Sequence, residues 1–138
     1  MKVIVDTCIW SLALRRRDKS RLSAEDQQMV MQLTEAIQDR RAAIIGPIRQ
    51  EILSGIRNRA QFAKTEGTLD LFRDEEITVA DYVEAARFYN LCQDRGVQCG
   101  PVDILLCAVA ARKQYGILTS DQALNRCVEV LRSEGLIR

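Results

Sequence analysis

Short apolar, β-branched runs alternate along this chain with longer stretches in which apolar positions recur at helical spacing. Residues 2–5 form the first buried strand, which stops at Asp6-Thr7, where turn-prone and capping residues fit a strand giving way to a helix. Residues 9–14 make that helix, and the charged run 15–21 has no apolar period and reads as an exposed loop. Ser23, with Asp26 three residues on, opens a second helix running to about Arg40, with Met29, Leu33 and Ile37 along one face. Residues 42–45 are a second strand. Gly46-Pro47 then turns into a third helix, with proline at its first position and Glu51 about one turn in.

Further along, residues 59–72 predict a helix interrupted by Gly67, and residues 76–79 a third strand. Residues 80–95 predict a helix with Tyr82, Ala86, Tyr89 and Gln93 regularly spaced, ended by Gly96. Gly100-Pro101 opens a helix over residues 102–115 that is apolar on nearly every face, as expected for a helix packed between layers, and Gly116 ends it. A strand at 117–119, a short helix at 121–126 and a last strand at 128–131 complete the chain. Strands and helices alternate throughout, which predicts an α/β three-layer sandwich around a central, mostly parallel sheet of about four or five strands. No repeat, low-complexity tract or linker divides it, so residues 1–138 are expected to form one domain.

Composition narrows the chemistry. Lysine and arginine number 20 against 19 acids, so any attraction to a polyanion must come from local patches. The chain has no histidine. That removes serine/histidine and cysteine/histidine nucleophiles and histidine zinc sites, and leaves carboxylate, lysine, hydroxyl and thiol chemistry. The five cysteines, at 8, 92, 99, 107 and 127, are odd in number and several lie in apolar runs, so they read as reduced core residues of a cytoplasmic protein. Cys92 and Cys99 stand seven apart without a histidine, which argues against zinc. The longest apolar stretch, residues 102–111, contains an aspartate and is too short for a membrane helix, and the amino terminus lacks a signal-peptide pattern.

Position then selects among the acids. In an open parallel sheet, functional groups gather at the carboxyl ends of the strands. Asp6 closes the first strand, Glu51 lies in the helix after the second, Asp103 in the first turn of the buried helix, and Asp121 just after the strand at 117–119. Each alone has an ordinary reading as a helix cap, a dipole partner or a solvated residue. Together they would repel unless a cation neutralised them. Oxygen-only donors suit a hard divalent ion, Mg²⁺ or Mn²⁺, and phosphodiester hydrolysis by an activated water is the natural reaction. Asp6 and Asp103 are expected as direct ligands, with Asp121 completing the site and Glu51 positioning or deprotonating the water.

The same segments carry a family resemblance. VIVDTCIW, IRQEILSGI, PVDILLCAVA and LTSDQAL resemble, in order, the four acidic motifs of the PIN-domain family, in particular of VapC-type toxins from prokaryotic toxin and antitoxin pairs. The resemblance covers residues 3–124. It implies that Asp6, Glu51, Asp103 and Asp121 form the family's acidic cluster and that the hydroxyls of Thr7 and Thr119 support it. It also implies an endoribonuclease cutting RNA, often a transfer or ribosomal RNA, a homodimer, and an antitoxin partner that inserts a basic side chain among the carboxylates. One departure is that Ala123 and Leu124 stand where many members carry a further aspartate and an aromatic.

Arg15, Arg16 and Arg17 are candidates for holding phosphates flanking the scissile one, and Arg49, Arg57 and Arg59 bracket Glu51 and extend such a surface. Trp10 and Leu14 offer either core packing or a groove for a partner helix. The rival function is a catalytically weak or inactive PIN-fold binding module. A phosphotransfer receiver would need clustered early acids and a late lysine. The related phosphatases would need an aspartate where Cys8 stands, and no glycine-rich loop supports a nucleotide-binding fold.

Overall fold

The computed structural model describes residues 1–15 and 21–138. Arg16 and Arg17, two of the three candidate phosphate-binding arginines, lie outside these residues.

Three short parallel strands form the sheet: β1 (Val3–Val5), β2 (Ala42–Ala43) and β3 (Gly116–Leu118), in the order β2-β1-β3. β1 is central, pairing Val3 with Ala42 and Ile4 with Ala43 on one side, and Ile4 with Ile117 and Val5 with Leu118 on the other. Because β1 is hydrogen-bonded on both edges, the residue that ends it, Asp6, is fixed at the middle of the sheet's carboxyl edge. Its backbone N–H donates to the carbonyl of Leu118. Space is tight where β3 begins: a Cβ at Gly116 would stand 3.2 Å from Val3 Cγ1, and that side chain would have to give by a few tenths of an ångström.

Seven helices flank the sheet among the described residues: α1 (Thr7–Arg15), α2 (Ala24–Gln38), α3 (Gly46–Leu53), α4 (Arg59–Leu69), α5 (Val79–Asp94), α6 (Pro101–Lys113) and α7 (Gln122–Ser133). Ser23 caps α2 as expected, accepting from the Asp26 N–H. The apolar helix α6 buries every residue from Ile104 to Ala110. It belongs to two cores at once. Leu106, Val109 and Ala110 pack with Ile4, Val5, Trp10 and Ile48, whereas Ile104, Leu105 and Ala108 pack with Phe88, Leu124 and Leu131.

Trp10 is buried and donates its indole N–H to the Val5 carbonyl at 3.1 Å, with Phe72 edge-on at 5.1 Å. It is therefore core and not a partner groove. Trp10→Ala is expected to cost about 3–5 kcal/mol, read as a lowered midpoint in urea unfolding; an unchanged midpoint would contradict this packing.

The α/β class and parallel sheet agree with the sequence, but the described residues hold three strands instead of four or five. Residues 76–79 are not a strand. A single parallel bridge, Ile44 to Asp74, lies just before them, and Thr78 instead caps α5 through a reciprocal capping box with Asp81. Residues 128–131 lie inside α7, whose buried positions Leu124, Cys127, Val128 and Leu131 are helically spaced. α4 runs through Gly67 without interruption. α6 ends at Gln114, in a left-handed conformation, and not at Gly116. The cysteines are core residues except Cys8, but two are not reduced: Cys99 and Cys127 form a disulfide. Sequence spacing of 28 residues hid this pair, and folding brings their Cα atoms to 6.3 Å.

Candidate active site

Asp6 ends the central strand nearly buried and is held on both oxygens. Oδ1 accepts the Thr7 backbone N–H at 2.8 Å, and Oδ2 accepts the Thr119 hydroxyl at 2.8 Å. Thr119 in turn accepts the Asp121 N–H at 3.0 Å, so the residue leaving β3 links the first acid to the last. Asp121 is the N-cap of α7. Its Oδ1 takes the N–H groups of Ala123 and Leu124, so the capping reading of this residue holds alongside its place in the cluster. On the other flank, the Thr7 hydroxyl donates to Glu51 Oε1 at 2.6 Å and ties the exposed Glu51 of α3 to the start of α1.

Asp103 stands in the first turn of α6, half-buried, with no hydrogen-bond donor reaching it among the described residues. Its carboxyl is pushed up to about 6, first by burial and then by the negative charges of Asp6, Asp121 and Glu51. That repulsion is the electrostatic signature of four carboxylates brought together from four separate segments. No three of the described acids bring oxygens within 4.8 Å of one another. The donor set is entirely oxygen, which suits a hard cation that keeps part of its water shell, as magnesium does. The residues present therefore fit Mg²⁺ or Mn²⁺.

All four predicted acids and both threonines thus fall in one place. The arginines divide. Arg15 is exposed at the end of α1, and Arg57 and Arg59 are exposed. Arg49 is engaged elsewhere, its guanidinium donating to Asp74 and to the Phe72 carbonyl, so it does not extend a surface around Glu51. One neighbour was missed. Cys8, read as a core thiol, is half-exposed with its sulfur 3.4 Å from Asp6 Oδ2 and 3.4 Å from the Ser120 hydroxyl. Its position two residues after Asp6 was the available signal.

A cleft of about 440 Å³ lined by Asp26, Met29, Thr119, Ser120 and Asn125 runs beside the acids. A larger cavity of about 880 Å³ lies by the amino end of β1, lined by Lys2, Arg40, Phe72 and Arg73, away from the four carboxylates. The acids decide the site, since the chemistry is theirs. Thr119→Val removes the donor to Asp6 while keeping the side-chain shape. It is expected to weaken Mn²⁺ binding or activity about 10- to 100-fold, measured by metal titration; unchanged affinity would remove Thr119 from the support.

Carboxylates from four segments therefore gather at the carboxyl edge of the central strand of a parallel α/β domain. A model of the PIN domain matches residues 3–129, and the chain belongs to the PIN-domain family. PIN domains are typically metal-dependent nucleases. Among solved structures, the one described as FitAcB from Neisseria gonorrhoeae matches with a TM-score of 0.71 at 13% identity, covering 91% of this chain and 93% of that one. At that identity the likeness shows a shared fold. No curated protein matches the sequence. No helix among the described residues is long and apolar enough to cross a membrane.

Proposed function

We propose that this protein is a divalent-metal-dependent endoribonuclease that hydrolyses RNA phosphodiester bonds and acts as the toxin of a type II toxin-antitoxin pair. The observation that carries the nuclease reading is the gathering of Asp6, Glu51, Asp103 and Asp121 from four separate segments at one edge of the sheet, where burial first, and then the charges of the other three acids, push Asp103 up. Such crowding is costly in an empty site and useful in one that binds a cation. A bound Mg²⁺ or Mn²⁺ supplies a water of lowered pKa and neutralises charge on the phosphoryl oxygens.

The protein's own groups do the rest. Asp6, fixed by Thr7 and Thr119, and Asp103 provide the direct ligand oxygens, and Asp121 offers the carboxylate oxygen its capping leaves over. Glu51, exposed and steadied by Thr7, orients the attacking water and takes its proton. Arg15, at the exposed end of α1, extends toward a flanking phosphate, with Arg16 and Arg17 next in sequence.

The partners in this reading are RNA, of transfer or ribosomal type, a second copy of the chain and an antitoxin that places a basic side chain among the acids. An exposed apolar stripe on α5, Val79, Tyr82, Val83 and Tyr89, supports a protein contact. The site of action would be the cytoplasm. The test is cleavage of a labelled RNA with Mg²⁺ or Mn²⁺, with and without a chelator. Loss of cleavage on chelation and recovery on adding back metal is expected; cleavage that survives chelation would sink the mechanism.

A further inference from the structure

Behind the acidic edge, α5, the loop ahead of α6, and α7 bring Cys92, Cys99 and Cys127 together with their sulfurs all within 4.8 Å of one another. All three are buried, beside Phe88, Leu124 and Leu131. Cys99 and Cys127 are bonded and Cys92 is a free thiol. The bond's position relative to the acids is the informative feature. Cys99 immediately precedes Gly100, the N-cap of α6, and lies four residues before Asp103. Cys127 lies in α7, whose N-cap is Asp121. The cross-link therefore ties together the two helices whose amino ends present two of the four carboxylates.

We propose that this cysteine trio is a redox modification site that sets the cation affinity of the neighbouring acidic centre. Cys99 is the attacking sulfur in this scheme, because it is the least buried of the three, at 7% exposed against 0% for Cys92 and Cys127. In the reduced protein its thiolate attacks a low-molecular-weight disulfide such as oxidised glutathione. One small thiol leaves and a mixed disulfide forms; the Cys127 thiolate then displaces the second small thiol, closing the protein disulfide. Two protein thiols are oxidised and one small disulfide is reduced to two thiols. A small dithiol reverses both steps.

Oxidised, the amino end of α6 is held against the middle of α7, six residues after Asp121. Reduced, the segment ahead of α6 is released and the repelling carboxylates of Asp103 and Asp121 relax apart. Cys92 is the reserve partner. Burial pushes its thiol up, which keeps it protonated and the Cys99–Cys127 bond unscrambled.

The effect on the cation rests on the metal-site reading, but the thiol and melting readouts do not, so the two can fail separately. Wild-type protein is treated with oxidised glutathione or with dithiothreitol, freed of reagent, and alkylated in denaturant. Three free thiols are expected in the oxidised form, matching Cys8, Cys92 and Cys107, against five in the reduced form. The oxidised form should melt on the order of 10 °C higher and bind Mn²⁺ about fivefold or more tightly. Cys99→Ser should shift the bond to Cys92–Cys127, found by peptide mapping, and Cys92→Ser should leave the original bond in place. Should a variant fail to fold, the wild-type comparison decides alone. Five thiols after oxidation, equal melting of the two forms, or equal Mn²⁺ affinity in two forms that both bind it, would overturn the proposal. So would one equivalent of zinc retained by the reduced protein, since the trio would then be a thiolate metal site.

Discussion

Asp6→Asn is expected to lower RNA cleavage on the order of 10³-fold with the fold intact. Asparagine keeps the shape and the carbonyl oxygen that accepts the Thr7 N–H. Its amide faces the Thr119 hydroxyl and the Cys8 sulfur, both of which can turn to accept it. The backbone of β1 is pinned on both edges and does not depend on this carboxylate. Only the negative charge at the centre of the cluster is lost, and with it the grip on a hard cation. Single-turnover cleavage of a labelled RNA in Mn²⁺, beside a circular-dichroism melt within a few degrees of wild type, checks the expectation. Near wild-type cleavage by a folded Asp6→Asn protein would mean that the acids are not the catalytic centre. Absence of cleavage by the wild-type protein in Mn²⁺ is the result that would make the inactive binding module the better reading.

Asp103→Asn is expected to move stability and activity in opposite directions. Cleavage should fall as steeply as for Asp6, yet the metal-free variant should be more stable than wild type at neutral pH. Asp103 is pushed up to about 6 in the folded protein, by burial first and by Asp6, Asp121 and Glu51 next. An acid whose folded pKa lies above its unfolded value binds its proton more tightly when folded, so it costs nothing near pH 4. Its penalty grows as pH rises from about 4 to about 6 and is constant above that. At pH 7.5 without metal the gain from asparagine is on the order of 3 kcal/mol and should vanish by pH 4. Melts of both proteins from pH 4 to 8 in chelator, repeated with Mg²⁺, test this. Added metal should raise the wild-type midpoint more than that of the variant. A gap that did not change with pH would show that packing, not charge, sets the difference.

Much of the candidate site was legible because its signals are local. Asp6, Glu51, Asp103 and Asp121 each flank an apolar segment, and a parallel sheet gathers the carboxyl ends of its strands along one edge. The element types were legible for the same reason wherever a periodicity was long enough: α2, α5 and α6 appear within a few residues of their expected bounds. Short windows misled. VEVL at residues 128–131 alternates like a strand, and only the longer spacing from Leu124 to Leu131 reveals the helix. Residues 77–79 are β-branched, but Thr78 and Asp81 satisfy each other's backbone N–H groups as a cap, which a strand would leave no room for.

What the chain determined by itself was the alternation of strands and helices, the absence of histidine chemistry, and the four acids with the threonines beside two of them. What only the tertiary structure decided was distance between segments far apart in sequence. Asp103 became the strained member because it is half-buried with three charges around it. Arg49 was drawn away to Asp74, Cys8 was turned toward Asp6, and Cys99 was bonded to Cys127. Periodicity and capping act over one or two turns and can be read along the chain. Repulsion, ion pairing and cross-linking depend on which helices pack together, and a linear sequence does not display that packing.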